Sequence, residues 1–432
     1  MNSKTWFVES LTIKNFRQYD NFTIDFNQDV TLLIGENGSG KTTILDALAV
    51  MLSVILKQLN DEGKNLTSED ARRIPSNLDS VEAVASTDIC FPIELSVTAI
   101  VDGENWTWSR SKPTAKSRTT MGEKEFRDFV SNIRENAQKD ATPNTVLPII
   151  AYYGVERLLR EIRNQGSVPS SRFSAYDHAL DPRSDINRFS RYFRMLFIES
   201  LKKRNAAIQH LNAIVHACNR VLEPTGWKDP EWNETVGSIV LRHDDYGYMP
   251  LDMLATGTKI AAGLTIDIAS RLARANPAIT KPETLLSCPG IVLIDEVDLH
   301  LHPIWQKEIA IVLRETFPGV QFVLTTHSPH VISSVPNSSV RNLVGLSVET
   351  PEFHEGLRPE VILETIQRTN TQPITENRKK LDEYLALVYK GEGTSIKALE
   401  LRKYLDEKMG GKEFNEELID ADSVLEIESW DL

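Results

Sequence analysis

Leu32-Leu33-Ile34-Gly35-Glu36-Asn37-Gly38-Ser39-Gly40-Lys41-Thr42-Thr43 decides the reading of this chain. A short apolar run feeds a glycine-rich turn, and Ile44-Leu45-Asp46-Ala47-Leu48 then opens a helical pattern. The turn fits Gly-x-x-x-x-Gly-Lys-Ser/Thr in the strand–loop–helix context that the motif requires. Gly35, Gly38 and Gly40 let the backbone curl with its N–H groups inward, an anion nest at the positive end of a helix. Gly35, Asn37, Gly38, Ser39, Gly40, Lys41, Thr42 and Thr43 are therefore the candidate nucleotide contacts. Lys41 would reach the β- and γ-phosphates, and the Thr42 hydroxyl would ligate Mg²⁺. The bland alternative is a glycine-rich turn with an incidental lysine; the flanking strand and helix argue against it.

Two later strand ends complete the pattern. Ile291-Val292-Leu293-Ile294 is an apolar run that ends in Asp295-Glu296. Asp295 is the candidate Mg²⁺ partner of Thr42, and Glu296 the candidate base that deprotonates an attacking water. Val323-Leu324-Thr325-Thr326-His327 places an imidazole just beyond another buried strand, where it can donate to a γ-phosphate. A lone histidine or a lone Asp-Glu pair carries little weight. The order of the three motifs carries the argument.

The 432 residues suggest two to three domains at about 150 residues each. The hydrophobic share of 41% with 25% charged residues is ordinary for a soluble globular chain. No uninterrupted apolar run reaches membrane-span length, and the N-terminus lacks a signal-peptide core, so the expectation is no membrane. Cys90, Cys218 and Cys288 form no close pair, which fits a reducing, cytoplasmic setting. A net charge of −13 argues against nucleic-acid binding over the whole surface.

Alternation predicts strands over Phe7–Ile13, Phe22–Phe26 and Val30–Ile34. Asp102-Gly103 signals a hairpin between Ile93–Val101 and Asn105–Ser109. Residues 60–87 and 112–122 read as loops. Apolar spacing from Asp185 to Leu222 predicts one long helix or a broken pair. Its basic residues, Arg183, Arg188, Arg191, Arg194, Lys202, Lys203 and Arg204, are interleaved with Phe189, Tyr192 and Phe193; a solvated helix face is favoured over a nucleic-acid contact. Further helices are expected over Met253–Arg274 and Trp305–Thr316. The acidic end, with Val424, Leu425, Ile427, Trp430 and Leu432 among its carboxylates, is either a solubilising tail or a docking segment for a basic partner.

Together these residues resemble the ATP-binding-cassette ATPases of the SMC, RecF and OLD branch in a compact form. The resemblance rests on Asn15-Phe16-Arg17, Gly35 to Thr42, Leu254 to Lys259, Ile294 to Pro303 and Thr325 to Pro329. It implies an α/β fold: a P-loop ABC-type ATPase head with a mixed β-sheet, a helical insertion lobe and a short C-terminal helical extension. The expected divisions are an N-terminal ATPase lobe (1–160), a helical insertion (161–250), a C-terminal ATPase lobe (251–345) and an extension with an acidic tail (346–432). The implied cofactors are ATP and Mg²⁺. Arg17 is implied as a further nucleotide contact, and Thr256 and Gly257 as signature-loop contacts to the nucleotide of an opposite subunit in a head-to-tail homodimer or higher oligomer. Ala255 stands where the family's signature serine is usual, and no glutamine follows Ile149 to Gly154 where the family often has one. His300-x-His302 fits the family's interface segment better than a metal site. The chain is similar to the ATPase subunit of Septu-type bacterial anti-phage systems, which implies a separate nuclease subunit as partner. The alternative is a RecF-like repair ATPase that clamps DNA directly. Asp420-Ala421-Asp422 has no preceding apolar strand and is not read as a nuclease site.

Overall fold

The computed structural model describes residues 5–75, 87–139, 145–156, 171–182, 186–369, 375–410 and 415–430. The chain divides into two compact units, Met1–Ile362 and Leu363–Leu432.

The first unit begins with strands β1 (Trp6–Phe16), β2 (Tyr19–Asp25) and β3 (Val30–Gly35), followed by helix α1 (Lys41–Asn60). Strands β4 (Arg73–Pro75) and β5 (Thr87–Ile89) pair as a ribbon within a stretch expected to be loop. β6 (Ile93–Val101) and β7 (Glu104–Lys112) form the expected hairpin. Asp102 and Gly103 both take positive φ there, 54° and 85°, as a tight two-residue turn demands. Helix α2 (Lys124–Lys139) and strand β8 (Ile149–Tyr153) come next.

The segment read as one helix or a broken pair is a pair, α3 (Ile186–Leu201) and α4 (Asn205–Leu222). The break falls at the polar gap, where Lys203 has φ 59°. The span expected to be a helical insertion also holds an antiparallel sheet, β9 (Lys228–Asn233), β10 (Ser238–His243) and β11 (Gly247–Pro250), in the order β11-β10-β9. These strands are short, so their alternation is brief; Ile239, Val240 and Leu241 are all buried and break it altogether.

Helices α5 (Thr256–Ala275) and α6 (Pro282–Leu286) lead to strand β12 (Gly290–Ile294). The helix expected over Trp305–Thr316 is split into α7 (Pro303–Gln306) and α8 (Ile309–Thr316). Strand β13 (Val320–Thr325), helix α9 (Pro329–Ser334), and strands β14 (Val340–Val344) and β15 (Ser347–Glu349) follow, and the boundary between the units falls within helix α10 (Pro359–Thr365).

Two larger sheets organise this unit. One is antiparallel, in the order β2-β1-β6-β7; the other runs β15-β14-β3-β13-β12-β8 and is parallel except for β15. The sheet of the second kind is mixed, as expected. Gln321 ties the two sheets together. Its fully buried amide accepts from the Val8 N–H at 2.8 Å and donates to the Val8 carbonyl at 2.9 Å. A side chain thus stands in for a neighbouring strand's backbone, satisfying two groups that burial would otherwise leave costly.

α1 is long and apolar enough to cross a membrane by composition alone, but 78% of its most apolar stretch is buried inside the fold. It is a core helix. Its apolar residues lie on nearly every side because other elements surround it.

The second unit contains helices α11 (Glu376–Val388), α12 (Ile396–Met409) and α13 (Glu416–Trp430). Leu381, Tyr384, Val388, Ala398, Leu405, Leu418 and Ala421 form its core. The acidic end is therefore helical, and Val424 and Leu425 pack against that core. This corrects the reading of those two residues as anchors for a partner. The side chains of Ile427 and Trp430, and Leu432 itself, lie outside the described residues. Asp422 is held by Arg402, and Arg378 reaches Glu417 at 2.5 Å.

Candidate functional site

β3, β12 and β13 are parallel neighbours, with Leu33 opposite Thr325 and Ile294 opposite Leu324. Their C-terminal ends therefore open on one edge of the sheet, where open α/β sheets place their ligands. The phosphate loop, the Asp295-Glu296 pair and His327 leave from those three ends. Residues more than 250 positions apart in sequence meet there through strand register alone.

Gly35 and Gly40 are required by geometry. Their φ values are 144° and 100°. A Cβ would lie 2.6 Å from the Leu343 carbonyl at Gly35, and 2.1 Å from Gln18 Nε2 at Gly40. Gly40 caps α1 without any side-chain hydrogen bond, so no side chain competes with an anion at this helix end. The Ser39 Oγ is buried without a hydrogen-bond partner, which suits a loop built to wrap an acceptor-rich group.

Lys41 is buried and donates to the Gly35 and Glu36 carbonyls at 2.8 and 2.9 Å. An ammonium has three donors, so one is left for a phosphate oxygen. Burial lowers its pKa, while Asp295, Glu296 and Asp298 act in the opposite direction. The same three carboxylates act on His327, whose pKa is lowered by burial and then by Lys41. The lysine, the imidazole and the carboxylates thus share one electrostatic site, with His327 held towards its neutral form.

Thr42 Oγ1 donates to Asp295 Oδ2 at 2.9 Å, and Thr325 Oγ1 donates to Asp295 Oδ1 at 2.6 Å. Two oxygens at adjacent corners of a Mg²⁺ octahedron with bonds of about 2.1 Å stand roughly 3 Å apart. The Thr42–Asp295 pair has that spacing, which is compatible with both oxygens holding one Mg²⁺. Thr325 also accepts from the Glu296 N–H at 2.7 Å, and Glu296 sits at φ 48°. That is a conformation non-glycine residues rarely hold without a reason, and such strain is concentrated at functional sites.

Beyond the carboxylate pair, Thr326 donates to Asp298 at 2.5 Å. Ser328 donates to Gln306, whose amide donates to the Leu301 carbonyl at 2.9 Å. The His302 ring accepts from the Ile304 N–H and caps α7, a structural use that differs from metal ligation. Among the described residues, no group of three or more His, Cys, Asp and Glu gathers as a metal site.

The signature-like segment starts α5. Ala255 is the helix cap, leaving Thr256 in the first turn; both are exposed. Gly257 is buried beneath the His300–Leu301 backbone, and a Cβ there would meet the His300 carbonyl at 2.3 Å. Arg17 has φ 51° and pairs with Asp46 at 2.8 Å and Asp70 at 3.2 Å. Asp46, itself one turn into α1, also takes Lys64 at 2.9 Å. Arg17 therefore braces the helix behind the phosphate loop in this state.

Several site contacts carry no local sequence signal. Thr325 ends the apolar run before His327, but its bridge between Asp295 and Glu296 depends on strand register. Gln18 accepts from Thr43 Oγ1 at 3.1 Å, and Tyr19 donates to the Ser39 carbonyl at 3.0 Å. A glutamine does stand beside the phosphate loop, brought by the β1–β2 turn rather than by the segment after Gly154. Tyr153 accepts from the Asp295 N–H at 2.8 Å and donates its hydroxyl to Asp267 of α5 at 2.7 Å. Burial would raise the Asp267 pKa, but Arg271 and Arg274 outweigh it and hold the carboxylate charged.

Of the basic residues on α3 and after it, Arg194 pairs with Glu234, and Lys202 and Arg204 with Glu199. Phe189, Tyr192 and Phe193 are buried. Those three rings are therefore closed to stacking by bases. Arg183 and the Arg188 side chain lie outside the described residues.

A family model described as an AAA domain matches residues 10–223, and another described as "AAA domain, putative AbiEii toxin, Type IV TA system" matches 171–333. The Retron Ec83 probable ATPase of Escherichia coli is 26% identical, over 98% of this chain and 87% of its own. The Septu protein PtuA of Bacillus thuringiensis is 33% identical over 29% of this chain and 30% of its own. Among solved structures, the SMC head domain from Thermotoga maritima is 16% identical with a TM-score of 0.43, covering 80% of this chain and 99% of that one.

Proposed function

We propose that this chain, which belongs to the ABC-type ATPases of the SMC, RecF and OLD branch, hydrolyses ATP between two head-to-tail copies and thereby regulates a separate nuclease in bacterial anti-phage defence. One observation carries the catalytic part: Thr42, Asp295, Thr325 and Glu296 form one hydrogen-bonded chain at the phosphate loop. The likeness to retron and Septu ATPases supports the defence setting.

In this reading the loop N–H groups and Lys41 bind the β- and γ-phosphates. Thr42 and Asp295 hold Mg²⁺, which neutralises phosphate charge when bound. Glu296 takes the proton of a water aligned with the γ-phosphate. His327, kept neutral by burial and Lys41, donates a hydrogen bond to a γ-oxygen. Thr256 and Gly257 meet the partner copy's nucleotide through the start of α5. Ala255 supplies no hydroxyl, so backbone N–H groups and Thr256 carry that contact, and slow turnover follows. Tyr153 joins the two functions, because it touches both Asp295 and the middle of α5.

The test is purification with and without the product of a neighbouring nuclease gene, followed by ATPase, size and DNA-cleavage assays. ATP-dependent dimerisation and cleavage only with the partner is the expected result. Salt-sensitive DNA clamping by the chain alone would favour the RecF-like alternative.

A further inference from the structure

A cavity of about 580 Å³ lies at the far end of α1, between that helix, β7 and the loop after it. Its lining includes residues 53–61 of the α1 region, which are roughly 18 to 30 Å along the helix axis from Lys41. It is thus separate from the phosphate loop. Lys57, Arg110, Lys112 and Arg118 all line it. Among the described lining residues Asp61 is the single carboxylate, and Arg134 reaches it at 3.4 Å.

Two of these cations are buried. Arg110 is 5% exposed and Lys112 7%. Their bonded partners are neutral: Arg110 donates to the Val50, Lys64 and Thr120 carbonyls, Ser53 and Asn65, and Lys112 donates to the Ser117 carbonyl. Burial lowers the Arg110 pKa to about 10, and among the described residues no carboxylate opposes it. Buried charges are ordinarily paired with an opposite charge. Here the carbonyls solvate the guanidinium but leave its charge uncancelled, and the cavity beside it is positive in a chain whose net charge is −13.

We propose that this cavity binds a small, multiply charged phosphate compound of nucleotide size. The volume lies within the range of small-molecule pockets, about 300 to 1,000 Å³. Four cations suit two or three phosphate groups, while Leu66 and Met121 supply an apolar wall for a planar base. A nucleic-acid strand would need a positive track along the surface; these cations instead converge on one concavity. α1 begins at the phosphate loop, so a ligand here sits on the other end of the helix that carries Lys41.

The experiment uses the full chain in a Lys41→Ala background, which removes binding at the phosphate loop. Pyrophosphate, ATP and sulfate are titrated by calorimetry. The probed variants are Lys57→Ala and Arg118→Glu, because both side chains are exposed and both should leave the circular dichroism spectrum unchanged. Saturable binding of pyrophosphate or ATP in Lys41→Ala, weakened tenfold or more by Arg118→Glu and several-fold by Lys57→Ala, is the expected result. ATP binding more tightly than pyrophosphate would place the base against Leu66 and Met121; equal affinity would assign recognition to the phosphates. No binding in the Lys41→Ala background, binding indifferent to both rim changes, or equal binding of sulfate would overturn the proposal. Failure of the ATPase reading would leave these titrations unaffected.

Discussion

Thr42 and Asp295 are 253 residues apart in sequence, yet their side-chain oxygens meet at 2.9 Å. One comes from the first turn of α1, which follows β3, and the other from just past the end of β12, with β13 between those strands. Thr325, at the end of β13, completes the arrangement by binding the second Asp295 oxygen and the Glu296 N–H. The candidate metal ligands are therefore positioned by a third strand as well as by their own.

Glu296→Gln should separate binding from turnover. Lys41, Thr42 and Asp295 are untouched, so nucleotide affinity should stay within a few-fold of the parent. Turnover should fall by about 10²-fold or more, the scale of general-base loss. Equilibrium binding and steady-state phosphate release check this; parental turnover would remove Glu296 from the role of base.

Thr325→Val keeps the shape of the residue and deletes its hydroxyl. It leaves Asp295 Oδ1 and the Glu296 N–H without that partner in a buried place. A loss of about 1–3 kcal/mol in stability is expected from the unmet groups. The Mg²⁺ requirement for ATP turnover should rise several-fold as well, because Asp295 loses its brace. Thr325→Ser should restore both, measured by denaturant unfolding and Mg²⁺ titration.

The phosphate loop, the carboxylate pair and the histidine were legible because each is a local pattern: glycines at fixed spacing, or a polar residue just after an apolar run. The role of Thr325 was not, since its partners are set by strand register. Arg17 illustrates the same limit. The resemblance implies a nucleotide contact for Arg17, while Asp46 and Asp70, which hold it, are distant in sequence. Strands β9 to β11 escaped because they are four to six residues long, and continuous burial at Ile239, Val240 and Leu241 hides the period of two. Arg110 carries no local signal, and Lys112 reads as the start of the 112–122 loop; only the packing of α1 and that loop makes both buried.

Gly257→Ala should disturb the start of α5. The added methyl group would sit 2.3 Å from the His300 carbonyl, so the helix or the loop must move. Small-to-large changes of this kind cost about 1–3 kcal/mol. ATP-dependent dimerisation, followed by light scattering, should weaken more than monomer stability does. An equal change in both would make Gly257 a packing residue alone.

Acid should weaken the fold through two buried histidines. Burial lowers the pKa of His210 and His354 from an ordinary value of 6.5, outweighing backbone hydrogen bonds that favour the charged form. The unfolded chain then binds protons that the folded chain refuses. This contribution to stability is complete above pH 6.5 and is lost as pH falls through the lower folded values. Unfolding free energy measured in urea between pH 7.5 and 5 should decline, and His210→Gln should flatten part of that slope. An unchanged slope in the variant would show that His210 binds protons equally in the folded and unfolded chain.

The acidic helix α13 is part of the core of its own unit, which decides how it can be tested for partner binding. Deleting the chain from Asp420 onward would remove Ala421, which is fully buried, and Asp422, the partner of Arg402. Loss of a partner after that truncation would report unfolding as readily as a missing contact. Leu418→Ala should show the structural role directly. Leu418 is completely buried in the core with Leu381, Tyr384 and Leu405, and emptying such a site costs about 2–5 kcal/mol. Amide exchange across α11 to α13 should rise together in this variant, since the core joins all three helices. Asp420 is exposed, so Asp420→Lys changes the charge of the helix without touching that core. If the acidic face binds a basic nuclease, Asp420→Lys should weaken co-purification while exchange in α13 stays at the parental level. Parental co-purification with Asp420→Lys, together with its loss in Leu418→Ala, would assign the helix to folding of its own unit.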